Sequence, residues 1–195
     1  MNATARRTSR RPRGARRAFT LIEMLIVIVM LGIASALVIP AMGSVGYLRV
    51  HGALRTIVAD ITFAQSDAIA FQQPRAIVFD LTARTYSLVQ VTGTSIDLTN
   101  NTMYDPGKPT GRYVIDFKSE NFGGAQVTAA AFGSTGTGVT ASTLIFDELG
   151  TPVVSPGSNT PSNGGTITVT APDNSYSIVV EAYTGRVTVR KTSGQ

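Results

Sequence analysis

The sequence lacks cysteine and tryptophan entirely, and among its 195 residues there is one histidine, His51. Without cysteine the chain has neither a disulfide framework nor a thiolate metal site, although many proteins exported to an oxidising compartment have no disulfides. A single histidine does not supply the several ligands that a transition metal needs. Acids, bases and nucleophiles do not cluster in a catalytic pattern, so we expect a protein that is not an enzyme and that holds no cofactor.

Positive charge is also scarce outside one short segment. Residues 1–18 contain seven arginines and no acid, whereas the whole chain has 17 lysine and arginine residues against 12 acids. The net charge is +5 for the whole chain and −2 once these seven arginines are left out. Because phosphate neutralisation by lysine and arginine supplies most nonspecific affinity for nucleic acid, the rest of the chain is not predicted to bind it in bulk.

A long uncharged run follows this basic leader. No charged residue occurs from Met24 to Pro40, and the next one is Arg49. A helix needs about 20 mostly apolar residues to span a bilayer, so a membrane helix is predicted at residues 19–42. Since arginine-rich flanks stay on the cytoplasmic side, we expect a single span with its N-terminus inside and the rest of the chain outside.

Two ordinary export signals compete with this interpretation. One is a secretory signal cleaved after the small residues at 34–36, and the other is a twin-arginine signal at Arg16 and Arg17. The apolar core of a secretory signal is about 7 to 15 residues long, which is shorter than this run. Neither signal gives a role to Glu23, the one acid at the start of the apolar run. Both alternatives therefore fit the sequence less well than a retained membrane helix.

Glu23 needs a charge partner if it enters the membrane. A carboxylate inside the bilayer costs about 2.5 to 3.5 kcal/mol on insertion scales. Cleavage between Ala18 and Phe19 creates an α-amino group four residues before Glu23. In a filament of staggered helices, this carboxylate neutralises the amino group of a neighbouring subunit, so we predict an assembly contact. The simpler alternative is an acid whose side chain reaches the cytoplasmic interface without a partner.

The residues around this junction carry a family resemblance. The stretch Ala18-Phe19-Thr20-Leu21-Ile22-Glu23-Met24 resembles the class III signal of type IV pilins and type II secretion pseudopilins. In that family the mature chain begins with Phe and has Glu fifth, and Pro is common at the twenty-second residue, which here is Pro40. The resemblance implies that a prepilin peptidase of the inner membrane removes residues 1–18 and N-methylates Phe19. This sequence has Ala18 where the family usually has glycine before the cut.

An amphipathic helix is predicted at residues 43–73 as a continuation of the membrane helix. Apolar residues recur there at alternating spacings of three and four, the pattern of a helix with one buried face. Asp60 and Asp67 fall largely off this stripe, and Pro74 ends the helix because proline has no N–H. Two alanines in the stripe favour close packing against a sheet. The stripe comprises Tyr47, Val50, Leu54, Ile57, Ile61, Ala64, Ala68 and Phe71.

Beyond Pro74 the period of the apolar pattern changes to two, which predicts strands. A hairpin is predicted first, and loops rich in Gly, Pro, Asn, Ser and Thr are predicted at 92–111 and 150–164. We therefore expect an α+β fold, in which a long N-terminal helix packs on a C-terminal antiparallel β-sheet domain at residues 74–195. The predicted strands are 75–81, 84–91, 112–117, 126–132, 143–147, 165–170, 175–181 and 186–190.

Several short stretches narrow the resemblance to minor pseudopilins of the GspH/FimT type. These stretches are Leu54-Arg55-Thr56, Ala64 to Ala70, Gln73-Pro74, Phe146 to Gly150, and Thr184-Gly185-Arg186-Val187. The resemblance implies a subunit of the periplasmic pseudopilus of a type II secretion system, held in the bacterial inner membrane by one span. Its implied partners are prepilin peptidase, other pseudopilins or pilins, membrane lipid and secreted cargo. The alternative is a minor type IV pilin that acts in pilus assembly or DNA uptake.

DNA-binding relatives of this type are expected to carry a basic patch near a Gly-Arg-x-Arg pattern. This chain has Gly185-Arg186-Val187-Thr188, and Arg190 and Lys191 follow it. Because Thr188 replaces the second arginine and the processed chain is net negative, DNA binding through Arg186, Arg190 and Lys191 belongs to the alternative alone.

Three further stretches contain residue types that are found in chemical sites. Residues 136–141 match the letters of a dinucleotide fingerprint, but that motif needs a following helix, and a strand is predicted at 143–147, so a loop is favoured. Asp147 and Glu148 have the carboxylates that calcium prefers, although a solvated turn fits them better. His51 is predicted to be exposed or interfacial, because no catalytic partner is spaced to use it.

Overall fold

The computed structural model describes residues 19–172 and 174–193, with side chains omitted at 36–47 and 120. The leader at 1–18, and Ala18 with it, lies outside the described residues. The chain divides into two compact units at the junction between Met42 and Gly43.

One α-helix, α1, extends over Leu21–Phe71. It begins at Thr20, whose Oγ1 accepts a hydrogen bond from the backbone N–H of Glu23 at 3.2 Å. This is the usual role of threonine before the first turn, where backbone N–H groups have no partner within the helix. The helix ends before Pro74 as predicted, because Gln72 has a left-handed φ of 50° that stops the helical ladder.

In the first unit, the described side chains of α1 are apolar and exposed. Large hydrophobic residues from Leu21 to Ile33 have between about half and most of their surface accessible. Within the described part of the chain, no helix combines the length and the hydropathy that a membrane span requires. Side chains 36–47, which include part of the predicted span and Pro40, fall outside the described residues.

In the second unit, α1 presents the predicted apolar stripe to the core. Six stripe residues are buried: Val50, Leu54, Ile57, Ile61, Ala64 and Ala68. Phe71 was predicted to belong to this face but is exposed, because it lies at the last helical position, beyond the sheets that cover the other six. Asp60 was predicted to lie off the stripe and is instead buried. Its carboxylate has two hydrogen-bond donors inside the domain, which offset the cost of burying it.

Among its described residues, the second unit also contains nine strands, eight of which the period-two pattern predicted to within two or three residues at each end. The ninth, Pro152–Val153, lies in a predicted loop; it is too short and too rich in turn residues to show an alternating pattern. The strands are β1 Arg75–Asp80, β2 Thr85–Gln90, β3 Val114–Asp116, β4 Gln126–Ala131, β5 Thr143–Phe146, β6 Pro152–Val153, β7 Gly165–Thr170, β8 Ser175–Val180 and β9 Val187–Ser193.

These strands form two antiparallel sheets, so the fold class is α+β as predicted. One sheet has five strands in the order β3-β2-β1-β5-β6, and the other has four in the order β4-β7-β8-β9. Side chains of α1 and of both sheets share one core. A smaller core on the other face of the five-stranded sheet is covered by the loop that carries Ile96. The helix is thus packed against two sheets instead of one.

Candidate functional site

The residues of the predicted processing signal lie at the start of α1. Phe19 is 71% exposed and precedes the capping Thr20. Glu23 is exposed in the first helical turn, where its negative charge interacts favourably with the positive end of the helix dipole. Thr20 and Glu23 have the spacing of a capping box, in which a glutamate or glutamine supports the N-terminal turn. Glu23 therefore has a local role available to it besides the predicted contact with a neighbour.

The helix after Glu23 has an apolar surface that no described side chain of the first unit covers. Exposed large side chains follow one another at almost every position from Met24 to Leu31. Soluble monomeric proteins rarely expose a continuous apolar surface of this size. Exposed apolar surfaces of this size are typical of segments that contact a membrane or another protein.

In the second unit, Gln65 joins two turns that sequence analysis had matched to the family separately. Its Nε2 donates one hydrogen bond to the carbonyl oxygen of Gly150 and another to that of Thr184, each at 2.8 Å. Gly150 follows β5 in the five-stranded sheet, whereas Thr184 lies between β8 and β9 in the other sheet. One helical side chain thereby fixes both sheets to α1. No local signal predicts this contact, because the partners are 85 and 119 residues away.

Glycine is required where these turns approach the helix. Gly150 has a φ of +78°, and a Cβ there would lie 2.7 Å from Cδ1 of Ile69. Gly185 has a φ of +65°, and a Cβ there would lie 2.9 Å from Cε1 of Phe146. Real Cβ atoms do not come this close to other heavy atoms, so the two turns belong to a structural junction.

A second buried junction surrounds Asp60. Its Oδ2 accepts a hydrogen bond from the Tyr86 hydroxyl at 2.5 Å, and its Oδ1 accepts one from Tyr113 at 2.7 Å. Burial raises the pKa of the Asp60 carboxyl above its ordinary value, and the two tyrosines and Lys108 oppose that shift. Burial also raises the pKa of Tyr86, and the Asp60 charge adds to that effect. Both phenols therefore stay protonated and act as donors.

One of the two candidate calcium ligands, Asp147, is committed to a backbone turn. Oδ1 of Asp147 accepts hydrogen bonds from the N–H groups of Leu149 at 3.0 Å and Thr151 at 2.7 Å. Glu148 is exposed on the turn. Among the described residues, no three or more potential ligands of the His, Cys, Asp and Glu types come together. The structure thus buries the Asp147 side chain in this turn, where its carboxylate accepts the hydrogen bonds of two backbone N–H groups.

The glycine-rich stretch at 136–141 is a loop, as sequence analysis favoured. It leads into β5 without a helix, so the context of a dinucleotide fingerprint is missing. A Cβ at Gly138 would lie 2.4 Å from the carbonyl oxygen of Ile96. The loop therefore packs on its neighbour in the smaller core.

His51 lies at an interface, as predicted. Its ring is half-buried on α1 and meets the Tyr176 ring of β8 edge to face, with centroids 5.5 Å apart. Nε2 and the Tyr176 hydroxyl are 3.4 Å apart. His51 also lines an open groove next to the last strand. The contact holds the helix against the four-stranded sheet.

One of the three basic residues of the alternative DNA site is ion-paired, and the other two lie on opposite faces of β9. Arg186 is paired with Glu181, with Nη2 at 2.6 Å from Oε1 and Nε at 3.2 Å from Oε2. The hydrogen bond from Arg186 lowers the pKa of Glu181. Arg190 and Lys191 are exposed and adjacent on β9, and adjacent residues of a strand point to opposite faces. This arrangement does not provide the clustered cations that a phosphate backbone requires.

Comparison with known proteins identifies the N-terminal segment. Residues 13–39 match the family described as the prokaryotic N-terminal methylation motif, and this range includes Ala18, Phe19 and Glu23. No curated protein matches this chain. Among solved structures, it is similar to the minor pseudopilin EpsH from the type 2 secretion system of Vibrio cholerae, with 13% identity, a TM-score of 0.47, and coverage of 74% of this chain and 97% of that one. A likeness at that level carries no argument about function. The chain therefore carries a prepilin-type N-terminal methylation motif.

Proposed function

We propose that this chain is a minor pseudopilin that is assembled into the periplasmic pseudopilus of a type II secretion system. One observation supports this proposal above the others. Phe19 and Glu23 stand four residues apart within the methylation motif, at the start of a helix with an exposed apolar surface. A secretory signal needs neither the acid nor a helix of this extent.

The mechanism begins with removal of residues 1–18 by prepilin peptidase. Cleavage after Ala18 leaves a methylated amino group on Phe19, next to the helix cap at Thr20. Glu23 of an adjacent subunit neutralises that cation when the two helices are staggered. Because a buried ion pair is far less costly than two separated buried charges, the pair sets the stagger of the helices.

The apolar surface of α1 has two successive environments in this mechanism. Before assembly, lipid of the bacterial inner membrane surrounds the single span, and the unit from Gly43 onward lies in the periplasm. After assembly, helices of other pseudopilins replace part of that lipid. Pro40, within the helix, supplies the bend that pilin-like helices commonly have, since proline removes one hydrogen bond from the ladder.

The polar groups of the second unit support a structural subunit. Three polar side chains form hydrogen bonds within the same domain: those of Asp60, Gln65 and Asp147. These groups hold the helix, the sheets and the turns together, and they are not available to a substrate. We therefore assign the chain a role in assembly, with other pseudopilins as its partners and secreted cargo as a further contact.

The test is the mass and the partners of the membrane form. We expect an intact mass that corresponds to a chain starting at methylated Phe19, and crosslinking to other pilin-like subunits. A mature chain that starts near residues 35–37 would establish a secretory signal and refute the proposal. The crosslinked subunits also separate a secretion pseudopilus from a type IV pilus, because the two machines use different major subunits.

The alternative, a minor type IV pilin in DNA uptake, is favoured only by the exposed Arg190 and Lys191 on β9. We expect the full chain in detergent to bind duplex DNA weakly, since Arg186 is paired and the processed chain is net negative. Tight binding that weakens steeply with salt, and that is lost in Arg186→Ala and Arg190→Ala, would favour the alternative.

A further inference from the structure

An open apolar groove lies between α1 and β9 in the second unit. Its volume is ≈ 480 Å³. Pockets that bind small molecules have volumes of about 300 to 1,000 Å³, and they combine a mostly apolar lining with a few polar groups. Leu54 is the buried part of this lining, whereas Ala59 and Val189 are exposed. The lining residues are His51, Leu54, Arg55, Val58, Ala59 and Val189.

The strand side of the groove is formed by a side chain on the face of the sheet. Val189 pairs with Ile178 of β8, and directly opposite residues of an antiparallel pair have their side chains on the same face. Ile178 is fully buried in the core that α1 shares, so Val189 also faces the helix. β9 is the last strand in the order β4-β7-β8-β9, and no other described strand covers Val189, which is 44% exposed. The groove thus presents side chains to a ligand, while the backbone hydrogen-bonding groups of β9 lie in the plane of the sheet.

Arg55 gives the groove its positive charge. Among the residues that the structure describes, the Arg55 side chain has neither an ion pair nor a hydrogen bond. The stem of an arginine packs along apolar surface while its guanidinium stays in water. A guanidinium binds a carboxylate through two parallel hydrogen bonds, so Arg55 can hold one anionic group at the mouth of the groove. His51 is not counted as a second cation, because its ring already meets the ring of Tyr176.

The length of the groove sets a lower limit on its ligand. The lining residues of α1 extend from His51 to Ala59, which is about 12 Å of helix at about 1.5 Å per residue. An extended backbone advances about 3.3 to 3.6 Å over the three bonds of one residue. An extended alkyl chain of about ten carbons therefore has the length of the groove.

The volume of the groove sets an upper limit. A cavity of about 150 Å³ holds one benzene, which is about 25 Å³ per carbon, so the groove holds at most about 19 carbons. Each leaflet of a bilayer is about 15 Å of hydrocarbon, so its acyl chains have at least about 13 carbons and a two-chain phospholipid has at least about 26. The groove therefore has room for one acyl chain and not for two.

We propose that this groove binds one fatty acid, a single-chain carboxylate of about ten to 19 carbons. The alkyl chain lies along Leu54, Val58 and Val189, and the carboxylate pairs with Arg55. A peptide is a poorer occupant, because its backbone N–H and C=O groups would be buried against an apolar lining without partners. An alkyl chain has no such groups, and its one charge matches the one cation of the lining.

This binding site does not depend on the proposed processing and filament role. Its lining residues all lie beyond Gly43, whereas the processing signal lies within residues 13–39. A groove variant that no longer binds fatty acid should still be cleaved and crosslinked to other subunits. A variant that fails in cleavage should still bind fatty acid through the unprocessed chain.

The probe is decanoic acid with a photoreactive diazirine at the end of its chain. The full chain is placed in nanodiscs of a zwitterionic phospholipid without detergent and illuminated with the probe, and mass spectrometry locates the label. We expect label at residues 51–59 and at Val189, and unlabelled decanoate should remove it. Label confined to the exposed apolar residues at 21–33 would overturn the proposal, because it would come from probe dissolved in the bilayer.

Two further ligands separate the chain from the charge. A fully buried methylene strengthens binding about fourfold, and a half-covered one about twofold, so decanoate should compete about 16 times better than hexanoate at equal free concentration in water. A decyltrimethylammonium probe with the same diazirine should label the groove about tenfold less than decanoate, because it brings a second cation to Arg55. Equal competition by hexanoate would overturn the role of the chain, and equal labelling by the cation would overturn that of the carboxylate.

Two variants test the two parts of the site. Arg55→Gln removes the charge and should weaken labelling about tenfold. Arg84→Gln is its matched control: it makes the same change at an exposed position in the turn between β1 and β2, on the five-stranded sheet, and should leave labelling unchanged. Ala59→Trp fills the groove from an exposed helical position and should abolish labelling, whereas Ser66→Trp, exposed about two turns farther along α1, should not.

Other occupants give different results in the same nanodiscs. Normal labelling of Ala59→Trp would show that the ligand lies elsewhere. A phospholipid probe with the same diazirine that labels the groove more than the fatty acid would overturn the single chain. A second copy of the chain, crosslinked over Val189 and not displaced by decanoate, would show that the groove is an interface between proteins and would likewise overturn the proposal.

Discussion

The Tyr86 hydroxyl donates a 2.5 Å hydrogen bond to the carboxylate of Asp60, and this bond joins strand β2 of the five-stranded sheet to α1. Tyr113 donates to the other carboxylate oxygen at 2.7 Å, so both oxygens of a buried acid have a donor. The three side chains clamp α1, β2 and the segment before β3. Their arrangement predicts two measurable properties of the domain.

Removal of the Tyr86 hydroxyl should destabilise the domain. Tyr86→Phe keeps the ring in the core but leaves Oδ2 of Asp60 buried without its donor, which costs about 1 to 3 kcal/mol. Urea unfolding of the full chain in detergent, followed by near-ultraviolet circular dichroism, measures this loss. Tyr104→Phe is the control, because Tyr104 is 76% exposed and its variant should unfold like the wild type. Equal stabilities of the two variants would contradict the role of the clamp.

The pH dependence of stability should carry the sign of a raised carboxyl pKa. Burial raises the folded-state pKa of Asp60 above its ordinary value of 3.8, so the folded state binds this proton more tightly than the unfolded state. The Asp60 contribution to stability therefore rises as the pH falls toward 3.8, and it is lost as the pH rises through the raised value. The measurement is the difference in unfolding free energy between the wild type and Asp60→Asn across the acid range.

Asp97 provides the opposite case for the same experiment. Hydrogen bonds from Asn100 lower its pKa, so its contribution to stability is present above 3.8 and is lost as the pH falls. The difference in unfolding free energy between the wild type and Asp97→Asn should thus shrink toward acid pH. Over the same range, the difference between the wild type and Asp60→Asn should shift in favour of the wild type. If both differences changed with pH in the same direction, the raised pKa of Asp60 would be contradicted.

The close approach of Gly185 to the junction at Gln65 should make it intolerant of a side chain. Gly185→Ala places a Cβ 2.7 Å from Nε2 of Gln65 and 2.9 Å from Cε1 of Phe146, whose ring is fully buried. Gly93 has a similar φ of +70° but nothing within 4 Å of its Cβ position. Gly93→Ala should therefore cost only the backbone strain, about 1 to 2 kcal/mol, and Gly185→Ala about 1 to 3 kcal/mol more, because the buried ring of Phe146 cannot move aside. Urea unfolding compares them, and equal losses would show that the junction at Gln65 yields freely.

Glu23 can be tested for assembly without disturbing the helix start. Glu23→Gln keeps the capping-box pattern with Thr20 but removes the charge, so the start of α1 should be retained. Leader removal should largely survive, while crosslinking to neighbouring pilin-like subunits should fail, because the partner's amino group loses its counter-ion. The measurement is the intact mass, membrane content and crosslinked fraction of each protein.

Glu23→Leu extends this comparison. It removes both the charge and the capping-box pattern, and it should insert into the membrane more readily than the wild type, because a carboxylate no longer enters the apolar run. If the Glu23 charge forms the contact between subunits, both variants should lose crosslinking to the same extent. Normal crosslinking of a processed Glu23→Gln protein would refute the ion pair between subunits.

The sequence alone determined the features that depend on neighbours along the chain. The spacing of Phe19 and Glu23, the buried stripe of α1, its end before Pro74 and the β1–β2 hairpin were all read from local patterns. A helix or strand pattern repeats within a few residues, so it is visible without knowledge of the partner that covers it. The two-residue strand β6 is shorter than such a repeat and was missed.

Tertiary structure alone decided which distant groups meet. Asp60 looked solvated from its helical position, yet it is buried because Tyr86 and Tyr113, 26 and 53 residues away, supply donors that compensate it. Gln65 bonds to turns that are 85 and 119 residues away, and the groove at Val189 exists because β9 is placed last in its sheet. Such contacts depend on strand order and on how two sheets pack on one helix, and no periodicity along the chain records either of these.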